Sequence, residues 1–302
     1  MKVLLIGYGS IGRRHEEVLL SFSEISSIDI VTRQPFPQKK IFMHLSEVEN
    51  IEQYDYFVIA SETHKHYEQL EYLENNLSNK LIFCEKPLFE TSKYLHVIKN
   101  NVFVGYVLRF HPLLQKLKQF LGNETVISVN VSCGSYLPTW RQNVDYRDSY
   151  SAKKEKGGGV LLDLSHEIDY VQWFFGKVIE LKSYQLRISD LEIDSDDMVV
   201  FLGKTERGVL VNCSIDYISK ITHRRMIVDT NDQSFELDFI QNRLIQKSRN
   251  GQEEYYECPT LQRNEMFEQM HRSILGDKQK VCSYNEAQSV MDTIKIIQEQ
   301  NR

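Results

Sequence analysis

The chain has 302 residues, of which 41% are hydrophobic and 26% charged, enough apolar content to build one large domain or two ordinary ones. With 36 Lys and Arg against 42 Asp and Glu, the formal net charge is -6, which speaks against nucleic acid or an acidic membrane as the main partner and favours a small molecule. The five cysteines, Cys84, Cys133, Cys213, Cys258 and Cys282, include no Cys-x-x-Cys pair and read as reduced core thiols.

Met1-Lys2 leads into Val3-Leu4-Leu5-Ile6-Gly7, an apolar run too short for a signal-peptide core, so it reads as a first strand. No apolar stretch approaches the roughly 20 residues that span a bilayer, and the expected location is cytoplasmic. Up to about residue 110, strands at 2–6, 28–32, 56–60, 81–84 and 102–106 alternate with helical stretches. One of these runs from His64 to Leu77, with His66, Leu70, Leu73 and Leu77 as its inward stripe. The pattern predicts an α/β fold whose first domain, 1–114, is a Rossmann-type doubly wound parallel sheet that binds a dinucleotide.

After Phe110 come a short helix carrying Leu113, Leu114, Leu117 and Leu121, a strand at 126–133, and a polar, aromatic loop to Lys156. A helix over 160–175 follows, then strands at 178–188, 198–203, 209–215, 225–229 and 234–239. Helices near 265–275 and 285–300 close the chain. Strands without intervening helices predict a C-terminal α/β domain, 115–302, with a mostly antiparallel open sheet for substrate binding and oligomerisation.

Gly7-Tyr8-Gly9-Ser10-Ile11-Gly12 follows the first strand and opens a helix. The spacing permits a tight turn, close approach of backbone to a pyrophosphate and close helix–strand packing, with the helix N-terminus favouring the anion. At the end of the second strand, where an acid would meet the ribose of NAD, stand Thr32 and Arg33. A hydroxyl beside a guanidinium suits a phosphate, so the expected cofactor is NAD(P) with NADP favoured; the plainer alternative is a solvated strand-end arginine. Cys84-Glu85-Lys86-Pro87 ends a parallel strand, where open α/β sheets place their ligands. Lys86 there can orient a substrate hydroxyl and hold the charge that develops as hydride leaves, with Glu85 as charge partner or nicotinamide neighbour.

Gly157-Gly158-Gly159 opens a third segment, in which Asp163, His166, Asp169 or Tyr170, and Trp173 recur at helical spacing on an apolar helix. His166 is the side chain best tuned to exchange a hydroxyl proton near neutral pH, Asp163 precedes it by one turn, and the glycines admit a ligand near the backbone. His64 and His66 stand at a helix start, where they would cap it or line the cofactor cleft. Other histidines, among them His15 and His271, show no metal-ligand spacing, and no metal is expected.

In this order, and together with Ala60-Ser61-Glu62-Thr63-His64-Lys65-His66 and Arg109-Phe110-His111-Pro112, these motifs resemble the glucose-fructose oxidoreductase and inositol dehydrogenase (Gfo/Idh/MocA) family across essentially the whole chain. The resemblance implies a nucleotide-binding domain followed by an α/β domain whose open sheet supports oligomers. It implies that Lys86 stabilises an alkoxide and that His166 is the acid/base. It also implies that Ser61, Thr63 and His66 join Gly7, Gly9, Ser10, Ile11, Gly12, Thr32, Arg33, Glu85 and Lys86 around the cofactor, and that Arg109 meets substrate. Glu62 stands where the family often has proline, an exchange expected to alter only the loop's shape. Asp163 and His166 lie three apart, where many members have four.

The loop from Tyr136 to Lys156 offers Tyr136, Trp140, Arg141, Tyr146, Arg147 and Tyr150 as substrate contacts, aromatic faces for a sugar ring and guanidiniums for an anion. Its five basic and three acidic side chains give a local +2, which points to an anionic substrate. Family members with a similar loop resemble enzymes of surface-polysaccharide metabolism, which implies an acidic or nucleotide-linked sugar. The expected partners are thus a sugar substrate and a second copy of the chain, as homodimer or homotetramer, with no nucleic acid and no membrane. Two alternatives stand beside a sugar dehydrogenase. One is net non-redox sugar chemistry through transient hydride transfer; the other is a non-catalytic NAD(P)-binding sensor, which would need neither Lys86 nor His166.

Overall fold

Lys2–Ile6 forms β1, buried from Val3 onward, as an unbroken Val-Leu-Leu-Ile run requires when both faces of a parallel sheet are covered. The computed structural model describes residues 1–34, 41–258 and 260–301, the side chain of Asn123 excepted. After β1 come α1 (Ser10–Leu20), β2 (Ser27–Val31), β3 (Ile41–Phe42), β4 (Tyr56–Ile59), α2 (His66–Asn76), β5 (Leu81–Cys84) and β6 (Asn101–Val104). The chain continues through α3 (Pro112–Phe120), β7 (Val126–Gly134), α4 (Val160–Asp163), α5 (His166–Phe175), β8 (Val178–Leu186), β9 (Met198–Thr205) and β10 (Leu210–Asp216). It ends with β11 (His223–Thr230), β12 (Gln233–Asp238), β13 (Arg243–Ser248), β14 (Glu253–Glu257), α6 (Glu265–Leu275), β15 (Cys282–Ser283) and α7 (Tyr284–Gln300).

Two units result: Met1–Phe110 with Gln262–Gln288, and His111–Leu261 with Ser289–Arg302. The return of 262–288 to the first unit has no counterpart in the sequence pattern, because it depends on which core the apolar face of α6 joins. Phe267, Met270 and Ile274 of α6 pack into the same cluster as Val3, Leu5, Tyr56 and Phe83.

The first unit holds the sheet β15-β6-β5-β4-β1-β2-β3, parallel except for β15, which pairs antiparallel with β6. The predicted stripe of α2 is buried at His66, Leu70 and Leu73, with Leu77 buried just beyond the helix. The second unit holds the sheet β14-β13-β12-β11-β7-β10-β9-β8, in which only the β7–β10 pair among those described is parallel. This is the mixed α/β architecture expected, with a Rossmann-like sheet and a mostly antiparallel one. β13 and β14 lie outside the predicted strands, since Arg-Leu-Ile-Gln-Lys-Ser and Glu-Glu-Tyr-Tyr-Glu carry little apolar alternation and end the sheet at an edge. The five cysteines are free thiols, and no helix among the described residues is long and apolar enough to cross a membrane.

Candidate functional site

The turn after β1 is built by two close approaches. Gly7 has φ +95°, and a Cβ there would lie 2.5 Å from the Ser61 nitrogen; a Cβ on Gly12 would lie 2.3 Å from the Gly7 oxygen. Only glycine lets α1 pack this tightly on the strand end. Around Gly9, the N-cap of α1, there is open space, no side chain caps the helix, and its first turn has no acidic residue. Uncapped N–H groups at the positive end of a helix dipole fit a diphosphate, so the residues present suit a dinucleotide.

At the end of β2, Thr32 is buried and its Oγ1 accepts from the Gln34 N–H at 3.1 Å, while the Arg33 side chain is 66% exposed with Nη2 3.7 Å from Glu62 Oε2. Glu62 also pairs with Lys65 and approaches His64 at 4.0 Å. The Lys65 hydrogen bond, together with the nearby cations, holds its carboxyl below the usual range despite partial burial. Glu62 therefore does more than reshape the loop, because it gathers Arg33 and Lys65. Ser61 Oγ donates to Gln69 Oε1 at 2.6 Å, and Thr63 starts the single turn Thr63–Lys65. His66 is 1% exposed; Nδ1 lies 3.1 Å from the Pro87 oxygen and Nε2 3.2 Å from the Ser61 oxygen. It ties together the loops that follow β4 and β5 from beneath.

Glu85, just past β5, is buried as well. Its Oε2 accepts the Lys86 N–H at 3.1 Å and its Oε1 is 2.8 Å from His15 Nε2. His15 Nδ1 is in turn 2.8 Å from His271 Nε2, whose Nδ1 is 2.8 Å from the Tyr56 hydroxyl. Burial pushes the Tyr56 phenol well up and, with His15 beside it, holds His271 well below its ordinary value. One arrangement that satisfies every contact has the Tyr56 hydroxyl donating to a neutral His271, His271 Nε2–H to His15 Nδ1, and His15 Nε2–H to a Glu85 oxygen. In it Glu85 is the acceptor end of a buried chain. The sequence gives no sign of it, because His15 and His271 are far apart in the chain. Lys86 itself is half-buried. Arg109, expected at the substrate, is 2% exposed in the core of the first unit, with Nη1 2.8 Å from Glu286 Oε1.

In the second unit the expected helix over 160–175 is broken between α4 and α5, so Asp163 and His166 stand on different helices. Asp196 holds the start of α4 from outside: its Oδ2 accepts the Leu161 N–H at 2.9 Å, and its main-chain oxygen accepts the Val160 N–H. The glycines before α4 serve the same packing, since a Cβ on Gly159 would lie 2.3 Å from Asp196 Oδ1 and one on Gly158 2.1 Å from the Tyr150 oxygen. That space is filled by the chain, which corrects the expectation of room for a ligand there. Asp163 is buried; its Oδ2 accepts from Ser151 Oγ and the Tyr217 hydroxyl, each at 2.6 Å, and the Tyr150 hydroxyl bonds to the same carboxylate. The nearby charge of Asp163, with burial, drives the Tyr150 phenol upward. His166, 8% exposed, opens α5. Beside it Glu167, fully buried, binds Arg224 through Nε at 2.7 Å and Nη2 at 3.2 Å.

The loop residues largely engage one another. Trp140 Nε1 donates to Ser135 Oγ at 2.8 Å and its ring meets Tyr217 edge-on, Arg141 lies over the Tyr150 ring at 5.3 Å, and Lys220 lies over Tyr136 at 4.4 Å. Tyr146 accepts the Glu192 N–H through its hydroxyl. Arg147 pairs with Asp145 at 2.6 Å and Glu192 at 3.4 Å, and it holds the Asp145 carboxyl at about 2. The local +2 is reduced accordingly, because Glu192 lies outside the counted stretch. Among the described residues no group of three or more His, Cys, Asp or Glu is placed to hold a metal.

Two family models match the chain: an oxidoreductase family with an NAD-binding Rossmann fold over residues 1–100, and a GFO/IDH/MocA C-terminal domain over residues 119–236. An uncharacterised oxidoreductase of Synechocystis sp. is 31% identical over 126 residues, 39% of this chain and 33% of that protein. The 2,7-anhydro-N-acetylneuraminate hydratase of Escherichia coli is 27% identical over 133 residues, 42% of this chain and 35% of that protein. The matched stretches thus span about a third of each relative. Among solved structures, an oxidoreductase from Agrobacterium radiobacter in complex with NAD+, L-tartaric acid and magnesium superposes with TM-score 0.84 at 16% identity, covering 99% of this chain and 96% of that one. A levoglucosan dehydrogenase in complex with NADH and levoglucosan gives 0.80 at 15% identity, with 99% and 96% covered. The UDP-N-acetylglucosamine 3-dehydrogenase of Acidithiobacillus ferrooxidans gives 0.76 at 16% identity, with 100% and 97% covered.

Proposed function

The chain belongs to the Gfo/Idh/MocA family of oxidoreductases, and on that premise we propose that it is a cytoplasmic NAD(P)-dependent enzyme moving a hydride to or from a carbon of a sugar or sugar derivative. The observation that carries the reading is the open, uncapped N-terminus of α1 on the Gly7–Gly12 turn after β1, in the unit whose sheet also holds β5, which Glu85-Lys86 follows directly. The substrate is an acidic or nucleotide-linked sugar of the kind used in surface polysaccharides. Sugar dehydrogenases among the structural neighbours support the sugar. Two of the neighbours named above, the Agrobacterium radiobacter oxidoreductase and the levoglucosan dehydrogenase, carry NAD+ and NADH; NADP is favoured here because Thr32-Arg33 replaces an acid at the ribose position.

A bound nicotinamide supplies the hydride acceptor or donor. Gly7, Gly9, Ser10, Ile11 and Gly12 present backbone to its diphosphate, and Ser61 and Thr63 follow on the next strand end. Oxidising a secondary alcohol requires loss of the hydroxyl proton as hydride departs. His166 takes that proton, and the Lys86 ammonium holds the negative charge growing on oxygen. Glu85 fixes the Lys86 backbone through its N–H. Tyr136, Trp140 and Arg141 contact the sugar, while Arg147, Tyr146 and Tyr150 brace the loop that carries them.

The test is single-turnover hydride transfer with a panel of sugars. Lys86→Ala and His166→Ala should each slow it by roughly 100-fold or more, with cofactor affinity unchanged within about threefold. Near-normal rates in both variants would move the chemistry elsewhere. A second reading, favoured by the match to a hydratase, has the hydride taken and returned within one turnover for net non-redox chemistry. Product formation without a steady change in nicotinamide absorbance would select it.

A further inference from the structure

Beside the glycine turn of the first unit lies a cavity of about 400 Å³ whose walls include Gly9 and Ser10 on one side and Gln34, three residues past β2, on another. Its charged lining is lopsided: Arg13, Arg14 and Arg263 against the single carboxylate of Glu17. Arg263 comes from the stretch 262–288 that returns to this unit, so the third guanidinium joins the adjacent Arg13 and Arg14 from a distant part of the chain. Aromatic rings hold two of them. Arg13 lies 5.3 Å over Tyr8 and donates to Gln34 Oε1 at 3.4 Å, and Arg14 lies 5.0 Å over Phe267. Among the described residues, none of the three is within ion-pair distance of a carboxylate.

We infer that this cavity receives a phosphate monoester, the 2′-phosphate of the bound dinucleotide, on Arg13, Arg14 and Arg263. The inference rests on the reading that the chain binds a nicotinamide dinucleotide. Three charges offset by Glu17 leave a net +2, matching a monoester that carries about -1.5 to -2 near neutral pH. The diphosphate is already provided for by the helix N-terminus, and the ribose of a Rossmann cofactor lies towards the end of the second strand, where Gln34 stands. Burial first, and then the repulsion of the neighbouring Arg263, lower the Arg14 pKa, and an anion between the two guanidiniums relieves that repulsion. Arg33, by contrast, is mostly exposed and turned to Glu62, so it is not the principal contact. Arg groups suit the task because they offer paired donors to phosphate oxygens.

The test is calorimetric titration of the intact protein with NADP+, NAD+, 2′,5′-ADP and 5′-AMP, repeated for Arg263→Ala, Arg14→Ala, Arg33→Ala and Arg263→Lys. Arg263→Ala and Arg14→Ala should each weaken NADP+ and 2′,5′-ADP by about tenfold or more and change NAD+ and 5′-AMP by less than about threefold, with partial recovery in Arg263→Lys. Equal loss for NADP+ and NAD+ would assign the arginines to the diphosphate and overturn the proposal. So would a preference for NADP+ abolished by Arg33→Ala but untouched by Arg263→Ala, or wild-type protein that binds NAD+ but not 2′,5′-ADP. Binding of neither dinucleotide would instead defeat the cofactor reading itself.

Discussion

Asp163 receives hydroxyls from Ser151, Tyr217 and Tyr150, and that company decides what its loss should do. Asp163→Asn exchanges a carboxylate for a weaker acceptor under three hydroxyl donors, those of Ser151 and Tyr217 buried, so unfolding in urea should show a loss of about 1–3 kcal/mol. Hydride transfer should fall by less than about tenfold, well short of the effect of His166→Ala. A rate loss as deep as that of His166→Ala would make Asp163 the base. Lys86 and His166 were readable as candidates from their motifs, because a lysine at a strand end and a histidine in an apolar segment are each out of place without a task. The partners of Asp163 were not, since Tyr217 reaches it only through the fold.

α6 shows the same limit for a whole element. Its apolar face is plain in the sequence, yet its attachment runs through His271, held between Tyr56 of β4 and His15 of α1. His271→Leu should cost about 1–3 kcal/mol for each polar group it orphans, with the Tyr56 hydroxyl and His15 Nδ1 affected. The same histidine gives the fold an acid limit. Burial lowers the pKa of His271 and, in the second unit, that of His111, which is helped down by Arg224 and opposed by its Asn242 hydrogen bond. Both rings are neutral in the native state, while the unfolded chain takes up protons below roughly pH 6.5. Their contribution is therefore complete above about pH 6.5 and lost as the pH falls towards the folded values, by up to about 1.4 kcal/mol per pH unit for each histidine. Urea midpoints between about pH 7.5 and pH 5.5 should fall, and the fall should be shallower in His271→Leu. An unchanged slope in that variant would show that His271 does not titrate differently on unfolding. The start of α4 belongs to this scale too, because Asp196, which caps it, lies beyond the next strand in the chain, and the break before α5 falls where helical periodicity continues.

For the molecule as a whole, the sheet of the second unit has one face packed and one open. Val129, Phe201, Val211, Met226 and Phe235 are buried on the first; Leu202, Leu210 and Ile227 are 63%, 57% and 36% exposed on the other, among Asn130, Asn212 and Ser128. An apolar-centred sheet face of this kind is the surface through which we propose that copies of the chain pair as a dimer or tetramer. Light scattering at micromolar concentration should give a multiple of the chain mass, and Leu202→Glu with Leu210→Glu should return the monomer. A wild-type monomer would remove the proposal.

What the amino-acid sequence determined alone was whatever is local or periodic: the glycine turn and its helix, the parallel strands, the run of strands without helices, and the place of Lys86 at a strand end. Those features follow from backbone freedom, side-chain alternation and chain order, all of which act over a few residues. The tertiary structure alone decided the buried chain from Tyr56 to Glu85, the burial of Arg109 against Glu286, the hydroxyls around Asp163 and the three arginines beside the glycine turn. Each joins polar groups distant in the chain, and a polar side chain shows its partner only once burial has removed water as the alternative.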